Sequence, residues 1–343
     1  MRACVLTTTG LQITDVPDAP APGPGEVRVA VRSAALNHLD LFVRDGLPGA
    51  TPRYPHVVGA DGAGVVELVG GDVQGIVAGD RVLINPGISD YRCEFCRAGE
   101  HSLCVAYRLL GEHLPGTMAE LVTVPAVNVR LVPDLSPALT WAEAAAFTLV
   151  TLTAWRMVVT RAQVQAGETV LVWGIGGGVS LAAMRIAKLA GARVIVTSSD
   201  DAKLAAARGL GADVTLNHRT QKVAEDVRAL TGTRGVEVVV ENVGAATWDQ
   251  SLRCLKRGGR LVTCGATSGP NVTIDLRRMF WHHWTLMGST MGNAAEYDEI
   301  VRRLGAGELR PVLDQVYPLA RVSEAYRRLE QGAQLGKIAV EIV

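Results

Sequence analysis

The stretch that decides the fold is residues 169–180, TVLVWGIGGGVS, an apolar run that leads directly into a glycine-rich turn. The run Thr169–Trp173 is typical of a buried parallel strand, and a helical pattern follows over Val179–Leu189. Glycines here permit a tight turn and let backbone N–H groups approach a pyrophosphate at the helix N-terminus. An ordinary strand-to-helix turn is the alternative, but strand, turn, helix and second strand all occur at the right spacing. The stretch therefore predicts a dinucleotide site, and its expected contacts are Gly174, Gly176, Gly177, Gly178 and Val179.

The same alternation of strand and helix continues along the chain. Apolar strands are predicted at Arg193–Thr197, Val236–Glu241 and Arg260–Cys264, and helices at Ala202–Leu210 and Trp248–Leu255. Strands that are almost continuously Val, Ile and Leu indicate a parallel sheet covered on both faces. We therefore expect an α/β fold with a Rossmann-type doubly wound parallel sheet over residues 151–289.

The N-terminal part of the chain has a different pattern. Short runs such as Val27–Val31, Gly64–Val69 and Arg81–Ile84 are separated by Gly, Pro and Asp, as in a small barrel of irregular strands. A loop is predicted at Val132–Pro137, before an alanine-rich helix over 141–148 that Thr140 can cap. The tail is too short to bury a core by itself, so we expect it to complete this domain. The expected bounds are 1–150 and 290–343.

The end of the second strand bears on which dinucleotide is bound. It reads Thr197-Ser198-Ser199-Asp200, and a site that prefers NAD places a carboxylate there to bind both ribose hydroxyls. Ser198 is neutral and can donate to a 2′-phosphate, while Lys203 or Arg219 can supply positive charge. Asp200 could turn to the ribose, but we favour it as the N-cap of the next helix. We therefore expect NADP, with NAD as the alternative.

Composition excludes some classes of function. The 343 residues contain 34 basic and 34 acidic side chains, with no basic block, so a nucleic-acid partner or an anionic membrane surface is not indicated. The N-terminus lacks the pattern of a signal peptide, and the longest apolar run, Ala144–Trp155, is too short to span a bilayer. We expect a cytoplasmic protein, in which thiols stay reduced.

Three of the six cysteines lie close together, with the spacing C-x2-C-x7-C at Cys93, Cys96 and Cys104. Zinc requires four ligands in a tetrahedron, and two cysteines on a tight knuckle supply two of them. Asp90 extends the knuckle by one step and is the preferred fourth ligand, whereas His101 is the competitor by chemistry. Charged neighbours argue against three buried thiols in a core, so we expect a structural zinc.

Together these features resemble the medium-chain dehydrogenase/reductase superfamily, which includes the zinc alcohol dehydrogenases and the quinone oxidoreductases. The marks of the resemblance are residues 35–40 (ALNHLD), 59–66 (GADGAGVV), the cysteine knuckle, the glycine turn, 258–262 (GGRLV) and Gly336-Lys337. The resemblance covers the whole chain and implies a GroES-like barrel split in sequence around a Rossmann domain. It also implies that residues near the nicotinamide include Asn242-Val243-Gly244, Cys264-Gly265-Ala266 and Gly288-Ser289, and we expect Lys337 among the cofactor-binding residues.

One departure from the family matters for chemistry. The three ligands of the catalytic zinc in alcohol dehydrogenases correspond here to Asn37, Ala60 and a residue at about Leu149, none of which suits zinc. His38, Asp40, His56 and Asp61 are close in sequence, so a rebuilt metal site is conceivable. By resemblance, His38 contacts the cofactor pyrophosphate, and Asp40 and Asp61 are acids behind the reacting centre. Asn37 could donate to a substrate carbonyl or merely stabilise a turn.

These features predict an NADPH-dependent reductase of quinones or other conjugated carbonyl compounds, with hydride transfer performed by the cofactor. An alcohol dehydrogenase with a rearranged catalytic metal is the alternative within the same class. A nucleotide-binding protein without turnover is the alternative from another class. We expect a small-molecule substrate, and a homodimer or homotetramer.

Overall fold

In the computed structural model of the chain, residues 1–46, 53–134 and 138–342 are described. The last three residues of the predicted loop Val132–Pro137 lie outside this range. The chain divides into two compact units. Unit 1 contains Met1–Val150 and Gly292–Val343, and unit 2 contains Thr151–Met291.

The N-terminal segment of unit 1 consists mainly of short strands. They are β1 (Arg2–Thr7), β2 (Gly10–Asp15), β3 (Glu26–Ala35), β4 (His56–Val57), β5 (Asp61–Val69), β6 (Arg81–Ile84), β7 (Gly87–Ile88), β8 (Arg108–Leu109), β9 (Leu121–Pro125) and β10 (Val129–Leu131). Two helices interrupt them, α1 (His38–Asp45) and α2 (Glu94–Arg97), together with short 3-10 turns at His101–Leu103 and Ala126–Asn128. Side chains alternate between buried and partly exposed along β3 and β9, as expected for strands with one face on a core.

A long apolar helix, α3 (Trp141–Trp155), follows and continues as a π-helical segment over Arg156–Arg161. Thr140 caps it as predicted, because Thr140 Oγ1 accepts from Glu143 N at 3.2 Å and Glu143 Oε2 accepts from Thr140 N at 2.9 Å. The helix is longer than the predicted 141–148, since nothing in the Ala, Leu and Thr run after it breaks a helix. The combined Trp141–Arg161 is long and apolar enough to cross a membrane by composition, but 83% of its apolar window is buried inside the structure, as in a core helix.

Unit 2 alternates strands and helices. After α3 come β11 (Thr169–Val172), α4 (Gly178–Leu189), β12 (Arg193–Ser198), α5 (Asp201–Gly209), β13 (Val214–Asn217), α6 (Val223–Leu230), β14 (Val236–Glu241), α7 (Trp248–Cys254), β15 (Leu255–Thr263), α8 (Leu276–His282) and β16 (Thr285–Gly288). The strands form one parallel sheet in the order β13-β12-β11-β14-β15-β16. The valines of β11, β12 and β14 are fully buried, because a parallel sheet in this architecture has no solvent face. The predicted α/β fold with a Rossmann-type sheet is confirmed.

The C-terminal segment returns to unit 1 with α9 (Ala294–Gly305), β17 (Leu313–Pro318), a 3-10 turn (Leu319–Arg321), α10 (Val322–Glu330) and β18 (Lys337–Glu341). Strand β18 pairs antiparallel with β3, which places Ala339 opposite Ala35. The resulting sheet has the order β10-β6-β5-β3-β18-β17, with β9 also on β3. This pairing brings Lys337, at the start of β18, to the end of β3 and the start of α1.

Candidate functional site

The glycine turn of unit 2 connects β11 to α4. Gly174 has φ +67°, a conformation that favours glycine, and Ile175 N donates to Thr197 O at 2.8 Å, which ties the turn to the neighbouring strand β12. A Cβ at Gly174 would have its nearest neighbour at 3.7 Å, and one at Gly177 at 3.8 Å. The predicted contacts Gly174, Gly176, Gly177, Gly178 and Val179 are all partly exposed. The glycine turn and the first residues of α4 are therefore partly accessible to solvent, as a pyrophosphate site at a helix N-terminus requires.

The residues predicted beside the nicotinamide follow neighbouring strands of the same sheet. Asn242 follows β14, Cys264 and Gly265 follow β15, and Gly288 and Ser289 end and follow β16. Because all the strands are parallel, their carboxyl ends lie at one edge, beside the glycine turn that follows β11. The order of the strands reverses between β11 and β14, and such switch points are where ligands bind in open α/β sheets.

Strand β12 ends at Ser198, and the carboxylate of Asp200 that follows it caps the next helix. Asp200 Oδ1 accepts from Ala202 N at 2.8 Å and from Lys203 N at 3.3 Å, so the interpretation of Asp200 as the N-cap of α5 is confirmed. Ser198 Oγ accepts from Asp200 N at 3.1 Å and keeps its own proton for donation. The last side chain of β12 is therefore a neutral hydroxyl, while the carboxylate of Asp201 accepts from Asn217 Nδ2 at 2.7 Å.

A basic residue follows the neighbouring strand β13. Ser198 pairs with Asn217, and His218 N donates to Ser198 O at 3.0 Å. Arg219 follows and is exposed, while Ser199 and Lys203 are partly exposed. Ser198 and Arg219 thus lie on adjacent strand ends, as expected for residues that would bind a 2′-phosphate.

Glu241, at the end of β14, is a site residue that sequence reasoning missed. Its carboxylate is fully buried and accepts from Val243 N at 2.7 Å, Gly244 N at 3.2 Å, Thr247 Oγ1 at 2.8 Å and Ser251 Oγ at 2.7 Å. These bonds fix the loop that begins at Asn242. The available signal was an acidic residue at the end of a buried strand, where an unpaired charge would be too costly.

The cysteine cluster of unit 1 comes together as the spacing predicted. One ligand atom from each of Asp90, Cys93, Cys96 and Cys104 lies within 4.8 Å of the others. A tetrahedral zinc with thiolate and carboxylate ligands needs ligand separations of about 3.3–3.8 Å, so a small contraction would complete the site. Three sulfurs and one carboxylate oxygen are a suitable set of donors for a structural zinc.

Asp90 is oriented by its own loop. Arg92 N and Cys93 N donate to Asp90 Oδ1 at 2.8 and 3.1 Å, and these bonds lower the pKa of Asp90, so the carboxylate is ionised. His101, the competing ligand, lies outside the cluster. Its Nδ1 accepts from Ala294 N at 3.3 Å, and its ring lies 4.7 Å from that of Tyr91.

A second polar cluster in unit 1 is centred on Lys337. Its Nζ donates to Asn37 Oδ1 at 2.6 Å, Leu36 O at 2.7 Å and Asp61 Oδ2 at 2.9 Å. Asn37 Nδ2 donates to Asp61 Oδ2 at 3.1 Å, and Leu149 N donates to Asp61 Oδ1 at 2.9 Å. We call Asn37, Asp61 and Lys337 the lysine cluster; all three side chains are buried.

This geometry bears on two expectations, both of which stay predictions. Lys337 is expected among the cofactor-binding residues, and in the structure its three N–H donors have acceptors inside unit 1. Asn37 is expected to donate to a substrate carbonyl or to stabilise a turn, and in the structure its amide hydrogens are directed to Asp61 and, at 3.4 Å, to Ala35 O. Asn37 and Lys337 are hydrogen-bonded to each other and to Asp61. The sequence does not reveal these bonds, because Asn37 and Lys337 are 300 residues apart.

Asp40 and His38 lie on α1 beside the lysine cluster. Asp40 accepts from Asn37 N at 2.7 Å, and burial raises the pKa of Asp40 to about 7 despite this bond and the positive charge of Lys337. Burial, and then the charge of Lys337, lower the pKa of His38. His38 is therefore neutral at pH 7 and could donate a hydrogen bond to a phosphate without contributing charge. Its expected contact with the pyrophosphate stays a prediction.

The residues at the positions of the catalytic zinc do not fit a metal. Asn37 and Leu149 do meet, at Asp61, but both carboxylate oxygens of Asp61 are taken by Lys337, Asn37 and Leu149 N. His56 Nε2 donates to Gly111 O at 3.0 Å. We call Asp90, Cys93, Cys96 and Cys104 the Asp90 cluster. Within residues 1–46, 53–134 and 138–342, it is the one group of three or more His, Cys, Asp or Glu side chains with metal-binding geometry. His38, Asp40, His56 and Asp61 do not form such a group.

Comparisons with known proteins agree with this description of the two units. The family model described as alcohol dehydrogenase GroES-like domain matches residues 23–134, and the one described as zinc-binding dehydrogenase matches residues 178–306. A zinc-type alcohol dehydrogenase-like protein of Schizosaccharomyces pombe is 33% identical over 93% of this chain and 91% of its own length. The chain belongs to the medium-chain dehydrogenase/reductase superfamily.

Other members of the superfamily match the chain over its full length. An NAD-dependent alcohol dehydrogenase of Sulfolobus acidocaldarius is 31% identical over 100% of both chains. A crystal structure of an NAD-dependent alcohol dehydrogenase has a TM-score of 0.95 and 44% identity, and it too covers 100% of both chains. The relatives in this superfamily comprise nicotinamide-dependent alcohol dehydrogenases and reductases named for crotonyl-CoA and quinones.

Proposed function

We propose that this protein is an NADPH-dependent reductase of quinones or other conjugated carbonyl compounds, with a structural zinc at the Asp90 cluster and no catalytic zinc. The observation that carries the proposal is the lysine cluster. Lys337 and Asn37 saturate Asp61 at the positions where alcohol dehydrogenases of the superfamily hold their metal. A reduced nicotinamide supplies a hydride, and the partly exposed glycine turn supports binding of the dinucleotide at unit 2.

The absence of suitable metal ligands at these positions bears on the class of substrate. Oxidation of a simple alcohol needs an alkoxide, which a divalent cation stabilises strongly. The negative charge that develops when hydride adds to an enone or quinone is delocalised over the conjugated system, so neutral hydrogen-bond donors suffice. A single such donor contributes about 2.7–4 kcal/mol to an oxyanion in other enzymes. Conjugated acceptors therefore suit a site without metal ligands better than primary alcohols do.

The choice of NADPH rests on the strand ends of unit 2. Ser198 presents a hydroxyl where NAD sites present a carboxylate, Asp200 is occupied as an N-cap, and Arg219 is exposed on the adjacent strand end. A 2′-phosphate would find a hydroxyl donor and a basic residue there, and the nearby carboxylate of Asp201 is held by Asn217 Nδ2 at 2.7 Å.

An NAD-dependent alcohol dehydrogenase is the second candidate, because the superposed structure with 44% identity carries that name. The two candidates differ in metal content and in substrate. We would measure zinc per chain, and rates with a panel of quinones, enones and primary alcohols, before and after brief chelator treatment. We expect NADPH oxidation by quinones or enones that survives the treatment. Chelator-sensitive alcohol oxidation with two zinc ions per chain would establish the second candidate, and cofactor binding without any turnover would indicate a nucleotide-binding protein.

A homodimer or homotetramer in the cytoplasm completes the proposal. Strand β16 is an edge strand of the parallel sheet, and on the adjacent α8 Phe280 and Trp281 are each 65% exposed. Open strand edges and large exposed apolar side chains are features of protein interfaces. None of the six cysteines, all within the described residues, is paired in a disulfide, which supports a reducing compartment. Light scattering coupled to gel filtration would measure the number of subunits, and a monomer at micromolar concentration would contradict the oligomer.

A further inference from the structure

Ser180 occupies an unusual place in the glycine turn. It lies in the first turn of α4, where dinucleotide-binding folds commonly have glycine or alanine for close packing of helix on strand. Ser180 is completely buried, and its Oγ donates to Trp173 O at 2.8 Å. A carbonyl oxygen can only accept, so the single proton of this hydroxyl is committed to Trp173.

That commitment fixes the side-chain amide of Asn242. Asn242 Nδ2 lies 2.8 Å from Ser180 Oγ. Because Ser180 has no second proton, it can only accept from Asn242, and the nitrogen of the amide must face it. The other face of the amide, Oδ1, is then directed away from Ser180. If Ser180 lacked its hydroxyl, this contact would not favour either orientation of the Asn242 amide.

The oxygen of the amide lies near Gly174, in the glycine turn. A Cβ placed on Gly174 would lie 3.8 Å from Asn242 Oδ1, and Asn242 is partly exposed. The backbone on which Asn242 stands is fixed as well, since Glu241 accepts from Val243 N and Gly244 N just after it. With the backbone fixed, the orientation of the Asn242 side-chain amide is what remains to be set.

We propose that Ser180 is a positioning residue of the dinucleotide site, which holds Asn242 so that Oδ1 accepts a hydrogen bond from the bound dinucleotide. The inference rests on the proposed function, because it assumes that a dinucleotide occupies the glycine turn. Ribose hydroxyls and the carboxamide of nicotinamide are donors and fit an acceptor, whereas phosphate oxygens are acceptors and do not. A fixed Oδ1 therefore favours the placement that sets a ribose or the carboxamide beside Asn242 and keeps the phosphates at the N–H groups of the turn.

The test is a double-mutant cycle with Ser180→Ala, Asn242→Ala and the double variant. The Kd of NADPH for each protein is measured by fluorescence titration. We expect Ser180→Ala to raise the NADPH Kd about three- to tenfold, the range of one neutral hydrogen bond. We expect the same substitution to change Kd less than about twofold when Asn242 is already alanine, because its effect passes through that amide. Ser33→Ala is the matched control. It removes another fully buried hydroxyl that donates to a backbone carbonyl, in unit 1, and should leave the NADPH Kd unchanged.

Thermal unfolding of each variant shows whether it is folded, and Ser180→Gly replaces Ser180→Ala in the cycle if the alanine variant is not. Ser180 would act only in packing if Ser180→Ala left the NADPH Kd unchanged. The same conclusion would follow if Ser180→Ala raised the Kd by the same factor in the parent and in Asn242→Ala. Failure of the parent protein to bind NADPH or NADH would instead contradict the proposed function, so the two failures are distinguishable.

Discussion

Lys337 Nζ lies 2.9 Å from Asp61 Oδ2, and the two side chains are only 3% and 0% exposed to solvent. The pair connects the start of β18 to the start of β5, and Asn37 bonds to both partners. At this depth neither charge can be hydrated, so each depends on the other and on the neighbouring amide and carbonyl groups. Removal of one partner of the lysine cluster is therefore expected to destabilise unit 1.

Removing the cation of this pair should be strongly destabilising. We expect Lys337→Met to lower the free energy of unfolding by about 3–5 kcal/mol, because Asp61 is left buried and unpaired. Urea denaturation followed by circular dichroism measures the change. Lys188→Met is the control, since Lys188 pairs with Asp213 where both side chains are 35% exposed, and it should cost less than about 1 kcal/mol. Equal losses in the two variants would show that Asp61 is not an uncompensated charge.

Stability should depend on pH through Asp40. Burial raises its pKa from 3.8 to about 7, so the folded state holds a proton that the unfolded state has already released. The contribution of Asp40 to the free energy of unfolding is therefore full below about pH 4 and falls as pH rises to about 7, by on the order of 4 kcal/mol. Asp40→Asn keeps an acceptor for Asn37 N and should remove this slope. The measurement is the free energy of unfolding of the parent and of the variant at several pH values. Curves that run parallel between pH 4 and 7 would contradict the raised pKa of Asp40.

The structural zinc can be tested with two variants of the same loop. Purified protein should contain one zinc per chain at the Asp90 cluster, and Cys96→Ala should lose it, because three ligands hold zinc poorly. His101→Ala should retain the zinc, since His101 bonds Ala294 and lies outside the cluster. Elemental analysis measures both. Loss of zinc in the histidine variant, or no zinc in protein never exposed to chelator, would overturn the assignment.

The preference for NADPH should reverse with one substitution. Ser198→Asp places a carboxylate where a 2′-phosphate would lie. We expect the difference in binding free energy between the two cofactors, measured by titration, to shift by about 1–3 kcal/mol in favour of NADH. Arg219→Ala should weaken NADPH and leave NADH unchanged. Asp200→Asn is the control, because asparagine also caps a helix and the side chain is turned to α5. Equal affinity of the parent for both cofactors would show that this strand end does not discriminate between them.

The sequence by itself determined the features that depend on local spacing. The apolar strand, the glycines and the following helix identify the turn at 174–178, and the C-x2-C-x7-C pattern with Asp90 identifies the cluster that the structure assembles. Thr140 and Asp200 were recognised as caps for the same reason, since a cap and the N–H groups it bonds are two or three residues apart. Backbone geometry alone brings such residues together, so their pattern is visible in the chain.

Only the tertiary structure decided which polar groups are already satisfied. The residue types of Lys337 and Asn37 do not reveal that they bond each other, because the pairing of β18 with β3 brings them together across 300 residues. Glu241 and the Ser180–Asn242 contact, 62 residues apart, depend in the same way on which strands are neighbours in the sheet. A residue type states what a side chain can donate or accept, whereas its partner is set by strand order, register and burial. These arise from packing of the whole chain, because a buried polar group takes whichever complementary atom the fold places within reach.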